Sequence, residues 1–173
     1  MYKCVSIVRS GRDRAAGALL NGGGLLEGTI EFRARYSETD QMGVIHHRIY
    51  LVWCEMGRTE LLRQLGASYA DLERQGIKLA VSGLRFSYRA SARYDDLVRV
   101  RTTLKRLQSR AVSFAYVVED AASSALLVEA ETDHVCIGSD GAVRTLPTET
   151  YRLLKRAQQL ASEEGTTDAP SGV

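Results

Sequence analysis

Apolar and polar residues alternate without a break over residues 29–36, with Ile30, Phe32, Ala34 and Tyr36 on one side and Glu31, Arg33 and Arg35 on the other. A period of two marks a half-buried strand. From His47 to Leu65 the period lengthens to that of a helix, and Gly66 follows as a C-cap residue. The first half of this helix, Ile49-Tyr50-Leu51-Val52-Trp53-Cys54, is apolar on nearly every face, so it is expected to be enclosed by a sheet. Gly57 lies inside it at a cost of up to about 1 kcal/mol relative to alanine. Close approach of a neighbouring backbone would account for that glycine.

A short amphipathic piece over residues 68–75 leads out through Gly76, and the period of two returns. Strands are expected over residues 77–88, 97–107, 111–119 and 125–137, separated by polar or glycine-bearing turns at 91–96, 108–110 and 120–124. Strands joined by such short turns form an antiparallel meander. Thr148, after Pro147, is the expected N-cap of a last helix with Tyr151, Leu154, Ala157 and Ala161 on one stripe. One sheet wrapped around one apolar helix buries both, which makes the fold class α+β.

The flanks read differently. Residues 1–28 mix short apolar pieces with Arg and Gly, and the run NGGG at 21–24 breaks any regular element, so they are expected to form a flexible N-terminal extension. The domain is expected over 29–162. Residues 163–173 are polar and carry Pro and Gly, the composition of a disordered tail.

Composition narrows the function classes. A formal net charge of +2 over 173 residues gives no electrostatic footprint for nucleic acid. The three cysteines, Cys4, Cys54 and Cys136, stand far apart without a C-x-x-C pair, which speaks against disulfides and thiolate zinc and suits a reducing, cytoplasmic setting. The expected location is the cytoplasm. The first residues lack the apolar core of a signal peptide, and no run of about 18 apolar residues offers a membrane span.

Chemistry concentrates between the first strand and the helix, in the run YSETDQMGVIHHR over residues 36–48. It holds a carboxylate, Asp40, a glycine, Gly43, and the histidines His46 and His47. The first N–H groups of a helix have no partner within it and favour negative charge on a ligand or intermediate. Asp40 could equally cap the helix or its preceding turn. Adjacent histidines at a helix start point in different directions and no third ligand sits at a usual spacing, so no metal is expected. No G-x-S-x-G motif supplies a serine nucleophile.

Residues 35–58, RYSETDQMGVIHHRIYLVWCEMGR, and 86–98, FSYRASARYDDLV, resemble the hotdog-fold acyl-CoA thioesterases of the 4-hydroxybenzoyl-CoA thioesterase type. The first motif matches in register through the acidic residue, the glycine three positions on, the histidine pair and the aromatic-rich helix. The resemblance covers about residues 29–146. It implies a hotdog fold and a homodimer or homotetramer that takes an acyl-CoA substrate and needs no cofactor or metal. The catalytic carboxylate falls on Asp40, as general base or as nucleophile. The N–H that polarises the thioester carbonyl falls on the backbone of His47, and Gly43 matches the glycine that turns the loop over the acyl group.

Coenzyme A carries phosphates, for which Arg89 and Arg93, flanking the turn at 91–96, are the candidate contacts. Two positions depart from the family pattern: Arg48-Ile49 stands where a small residue or proline precedes asparagine, and Ser91 replaces a proline. Two other readings fit the same fold: a non-catalytic acyl-CoA binding or regulatory module, and an acyl-thioester hydratase or dehydratase using Asp40 with His46. The acyl group itself is not legible.

Overall fold

The computed structural model describes residues 19–21 and 25–164. Six strands, β1 (Leu19–Asn21), β2 (Leu25–Arg33), β3 (Lys78–Tyr88), β4 (Leu97–Leu107), β5 (Ala111–Asp120) and β6 (Leu126–Ile137), form one antiparallel sheet in the order β1-β2-β4-β5-β6-β3. The helix α1 (Ile49–Gln64) lies across the sheet, α2 (Tyr69–Arg74) follows it, and α3 (Thr148–Glu164) closes the described chain. This is the expected α+β arrangement, a curved sheet holding a long helix. Among the described residues no helix is long and apolar enough to cross a membrane.

Several boundaries differ from the sequence expectation. Strand β2 begins at Leu25, not at residue 29, because Glu27 and Gly28 pair with Thr103 and Thr102 of β4. Four residues of the expected extension therefore belong to the sheet, as does β1, while residues 1–18 and 22–24 lie outside the described residues. At its other end β2 stops at Arg33, and the chain turns into a 3₁₀ turn, Tyr36–Glu38, that leaves Tyr36 77% exposed instead of inside. Helix α1 starts at Ile49, since His46 to Ile49 form a turn in which the Ile49 N–H donates to the His46 carbonyl at 2.9 Å. Thr148 is the first residue of α3, not its cap, and α3 reaches Glu164. Residues 165–173, in the expected tail, lie outside the described residues.

Helix α1 packs chiefly on β2 and β4. Gly57 makes this possible: a Cβ there would sit 2.4 Å from Thr102 Oγ1 and 3.1 Å from Val100 Cγ1. The close approach is thus to side chains of β4, not to a backbone. Tyr50, Trp53, Cys54, Leu61 and Leu62 are buried beneath it, and at roughly 2 kcal/mol for each large apolar side chain this face anchors the domain. The enclosure expected from the all-round apolar pattern is one-sided, however. Val52 is 48% exposed, and so are half of the side chains of Val81, Leu84 and Tyr88 on the edge strand β3.

A polar stripe crosses the otherwise apolar inner face. Tyr116 of β5 is 2.9 Å from Thr132 Oγ1 of β6, and that oxygen is 2.8 Å from Nε2 of His134. Arg58 of α1 reaches the same imidazole, with Nη1 at 2.8 and 2.9 Å from its ring nitrogens. Burial, then the guanidinium charge, push the His134 pKa down to about 4. The ring is therefore neutral at pH 7, where it can accept from Arg58 and donate to Thr132.

Two outcomes follow from this packing. Gly57→Ala should destabilise the fold by about 1–3 kcal/mol in urea titration, the overpacking cost exceeding the helix-propensity gain. Thr102→Ala should restore part of that loss. For His134, the unfolded chain takes up a proton below about pH 6.5 while the folded chain does not until about pH 4, so stability should fall as pH drops through that window. The full loss is about 3 kcal/mol, read as a declining Tm that flattens in His134→Gln.

Candidate functional site

The loop between β2 and α1 is closed on itself by backbone hydrogen bonds. Asp40 N–H donates to the Val44 carbonyl at 2.9 Å, Gly43 N–H to the Asp40 carbonyl at 3.0 Å, and His46 N–H to the Glu38 carbonyl at 2.9 Å. Gly43 has φ +70°, a left-handed conformation that glycine adopts without strain. The turn also lets Oδ1 of Asp40 accept from the Met42 N–H at 2.8 Å. Among the described residues Oδ2 has no hydrogen-bond partner, so one carboxylate oxygen is fixed and the other is open to a ligand.

The start of α1 presents donors beside it. Its first turn holds no acidic residue, and Arg48 at the N-cap makes no side-chain capping bond. The Arg48 N–H donates to Nδ1 of His46 at 3.3 Å, while the His47 N–H meets no acceptor among the described residues. His47 is exposed and lies two residues before the helix, on its positive pole. The histidine side chains stack on each other at 4.2 Å between ring centroids. Among the described residues no group of three or more His, Cys, Asp or Glu could hold a metal ion.

Further side chains pin the loop from outside. Arg93 Nη1 donates to the Gly43 carbonyl at 3.4 Å, and the Ile45 N–H donates to the Ala92 carbonyl at 2.8 Å, so the turn at 91–96 rests against the loop. The Tyr50 hydroxyl, held protonated by burial, accepts from the Ala92 N–H at 2.9 Å. Tyr88, at the end of β3, donates its hydroxyl to the His47 carbonyl at 3.1 Å. Glu38 takes the Arg35 N–H at 2.8 Å and the Trp53 indole N–H at 3.4 Å.

Asp40, Gly43 and Arg93 are thus brought together, and His47 stands at the other end of the same loop, held by Tyr88. Arg89 is drawn elsewhere, with Nε and Nη2 at 3.1 and 2.9 Å from one oxygen of Glu129. Sequence reasoning missed Glu38, Tyr50 and Tyr88 as loop supports, although all three lie inside the two motifs. Burial pushes the Cys54 thiol up to about 12 and Cys136 up to about 11, which leaves neither as a thiolate nucleophile. A pocket of about 480 Å³ between α2 and α3 is lined by Ser68, Asp71, Glu149 and Arg152 among others, and no loop residue lines it.

With this geometry in hand, comparisons locate the chain. YneP of Bacillus subtilis is 34% identical over 110 residues, covering 64% of this chain and 79% of YneP. The acyl-CoA thioester hydrolase YbgC of Escherichia coli is 31% identical over 105 residues, covering 61% of this chain and 78% of YbgC. Among solved structures, the DHNA-CoA thioesterase of Staphylococcus aureus superposes with a TM-score of 0.71 at 31% identity, over 79% of this chain and 94% of that one. The family model described as the thioesterase-like superfamily matches residues 34–157, which runs from the end of β2 through the loop, α1 and the sheet into α3. The chain belongs to the thioesterase-like superfamily and has the hotdog fold.

Proposed function

We propose that the protein hydrolyses an acyl-CoA thioester to a free acid and coenzyme A, at a loop built on the 4-hydroxybenzoyl-CoA thioesterase pattern. The observation that carries this reading is the pairing on one loop of a carboxylate oxygen and an N–H, Asp40 Oδ2 and that of His47, neither of which has a partner among the described residues. The names of the relatives YbgC and the DHNA-CoA thioesterase support the substrate class. A thioester carbonyl is electrophilic, so its hydrolysis asks for a base or nucleophile on one side and a donor for the developing oxyanion on the other.

As general base, Asp40 takes a proton from water as the water oxygen attacks the carbonyl carbon. The carbonyl oxygen becomes an oxyanion held by the His47 N–H and the positive pole of α1. Collapse breaks the C–S bond, and the coenzyme A thiolate leaves and is protonated. As nucleophile, Asp40 forms a mixed anhydride that water then cleaves. Each oriented donor in such a hole contributes about 3–4 kcal/mol to the transition state. Arg93, exposed beside Gly43, is the stronger candidate for the phosphates of coenzyme A, since Arg89 would have to share its guanidinium with Glu129.

The same reading makes the active unit at least a dimer. Strand β3 is the free edge of the sheet opposite β1, and its apolar side chains Val81, Leu84 and Tyr88 are half exposed. An edge of this length and polarity, left open, invites pairing with a second copy.

Thiol release from a panel of aryl, short and medium acyl-CoA thioesters should fall at least about 100-fold in Asp40→Asn with the circular dichroism spectrum unchanged. Turnover near that of the wild type would refute the assignment, and tight binding without turnover in the wild type would favour a non-catalytic acyl-CoA module. Leu84→Glu should shift the mass measured by light scattering toward the protomer. A mass unchanged from wild type would rule out β3 as the interface.

A further inference from the structure

Beside the loop, Tyr36 is 77% and Tyr94 57% exposed. Neither hydroxyl has a hydrogen-bond partner among the described residues, and the two rings meet edge to face, 5.6 Å between centroids at 89°. At these exposures the pair leaves ring surface open to solvent, an apolar patch that the core does not use. The backbone holds the pair in place. The Ala34 N–H donates to the Asp96 carbonyl and the Asp95 N–H to the Ala34 carbonyl, both at 3.0 Å, while Arg33 Nη1 donates to the Asp95 carbonyl at 2.7 Å. Asp95, next to Tyr94, takes φ +69°, in the left-handed region that few residues other than glycine adopt. Oδ2 of Asp96 accepts from the Arg93 N–H at 2.7 Å, so the end of β2 and the turn at 91–96 are locked into one surface.

The same turn joins the pair to the loop. Arg93 precedes Tyr94 in the chain and reaches the Gly43 carbonyl with Nη1 at 3.4 Å, and the Tyr36 carbonyl accepts from Thr39 Oγ1, next to Asp40, at 2.8 Å. Met42, Gly43 and Arg93 are exposed, so the way from Asp40 to the tyrosines runs over open surface and crosses no buried face. Cations flank the pair. Arg35 and Arg93 are exposed and neither guanidinium has a carboxylate within 4.0 Å among the described residues, whereas Arg33 has Asp95 at 3.7 Å. From the loop outward the surface offers a carboxylate oxygen, a guanidinium without a counter-charge and an open aromatic pair. Coenzyme A thioesters present their groups in the matching order of thioester, phosphates and adenine.

We propose that Tyr36 and Tyr94 form the platform on which the adenine of coenzyme A stacks, with Arg93 on the phosphates between the platform and the loop. This rests on the thioesterase reading for the identity of the ligand, while the platform itself is a binding claim. Two rings at a right angle make a corner that fixes a flat heterocycle on the face of one and against the other. Stacking on an aromatic side chain accepts a base through its π-face, and the guanidinium adds the demand for phosphate. A ligand made of an acyl chain alone would use neither.

The test measures calorimetric Kd for free coenzyme A and for 4′-phosphopantetheine, which lacks the adenosine. The wild type should bind coenzyme A more tightly by about tenfold or more, the scale of one base–aromatic stack. The double variant Tyr36→Ala with Tyr94→Ala should lose most of that preference, and Tyr36→Phe with Tyr94→Phe should keep it, because a phenyl ring stacks as a phenol does. Both positions are exposed, so an unchanged circular dichroism spectrum is expected for each variant. Equal affinity of the wild type for the two ligands, or no measurable affinity for either, would overturn the proposal. So would a preference that survives in the alanine variant, or a fall in that variant's mass by light scattering, which would assign the pair to a subunit contact. A tyrosine-dependent preference without hydrolysis of any thioester would keep the platform and overturn the thioesterase reading; hydrolysis with equal affinities would do the reverse.

Discussion

The missing side chain at Gly57 sets how deeply α1 can sit. With Thr102 Oγ1 only 2.4 Å from where a Cβ would be, any larger residue would lift the helix from β4. The depth of the helix in turn fixes Trp53 and Tyr50, which are 0% and 1% exposed, and these two are the residues that reach out to the loop. Trp53 does so through Glu38, Tyr50 through the Ala92 N–H. The loop geometry at Asp40 is thus carried by a helix–sheet contact about two turns into α1. A loop held at both ends by buried aromatics keeps its polar groups aimed.

What the periods of two and of 3.6 encode is which side of an element faces the core, and this was legible. The meander β4-β5-β6, the edge strand β3, α1 and its glycine, and the last helix all stand where the alternation predicts them. The strand at 29–36 was misplaced because pattern alone cannot tell where a strand stops: Tyr36 continues the alternation of Ile30 and Phe32 but is carried outward by the 3₁₀ turn. Strand β1 and the start of β2 escaped because Asn21 to Gly24 reads as a break, whereas the residues on either side pair with each other. The pairing register is a long-range fact and leaves no local trace.

The loop was legible to a different degree. Asp40, Gly43 and His47 were named from a spaced motif, and the turn that positions them obeys it: Gly43 has the positive φ that its residue type permits. The supports were not legible, because Glu38, Tyr50 and Tyr88 act through contacts to backbone groups as many as 42 positions away in the chain. Arg89 and Arg93 looked equivalent in sequence. Only the fold distinguishes them, by setting Glu129 of β6 beside one and the Gly43 carbonyl beside the other.

The polar stripe under α1 resists both kinds of reading. Thr102, Tyr116, Thr132 and His134 fall on the inner positions of their strands, where alternation calls for apolar residues, and each would pass as tolerated variation by itself. Together they form a band reaching from the central strand β4 to β6, over which an arginine of the helix is folded. A core assembled for stability alone would be no worse with aliphatic residues at these sites, since replacing buried polar groups by packed apolar ones is often neutral or favourable. Retaining a cation there, against a histidine that burial keeps uncharged, leaves a positive potential inside the fold that the chain does not cancel with a carboxylate within 4.0 Å among its described residues.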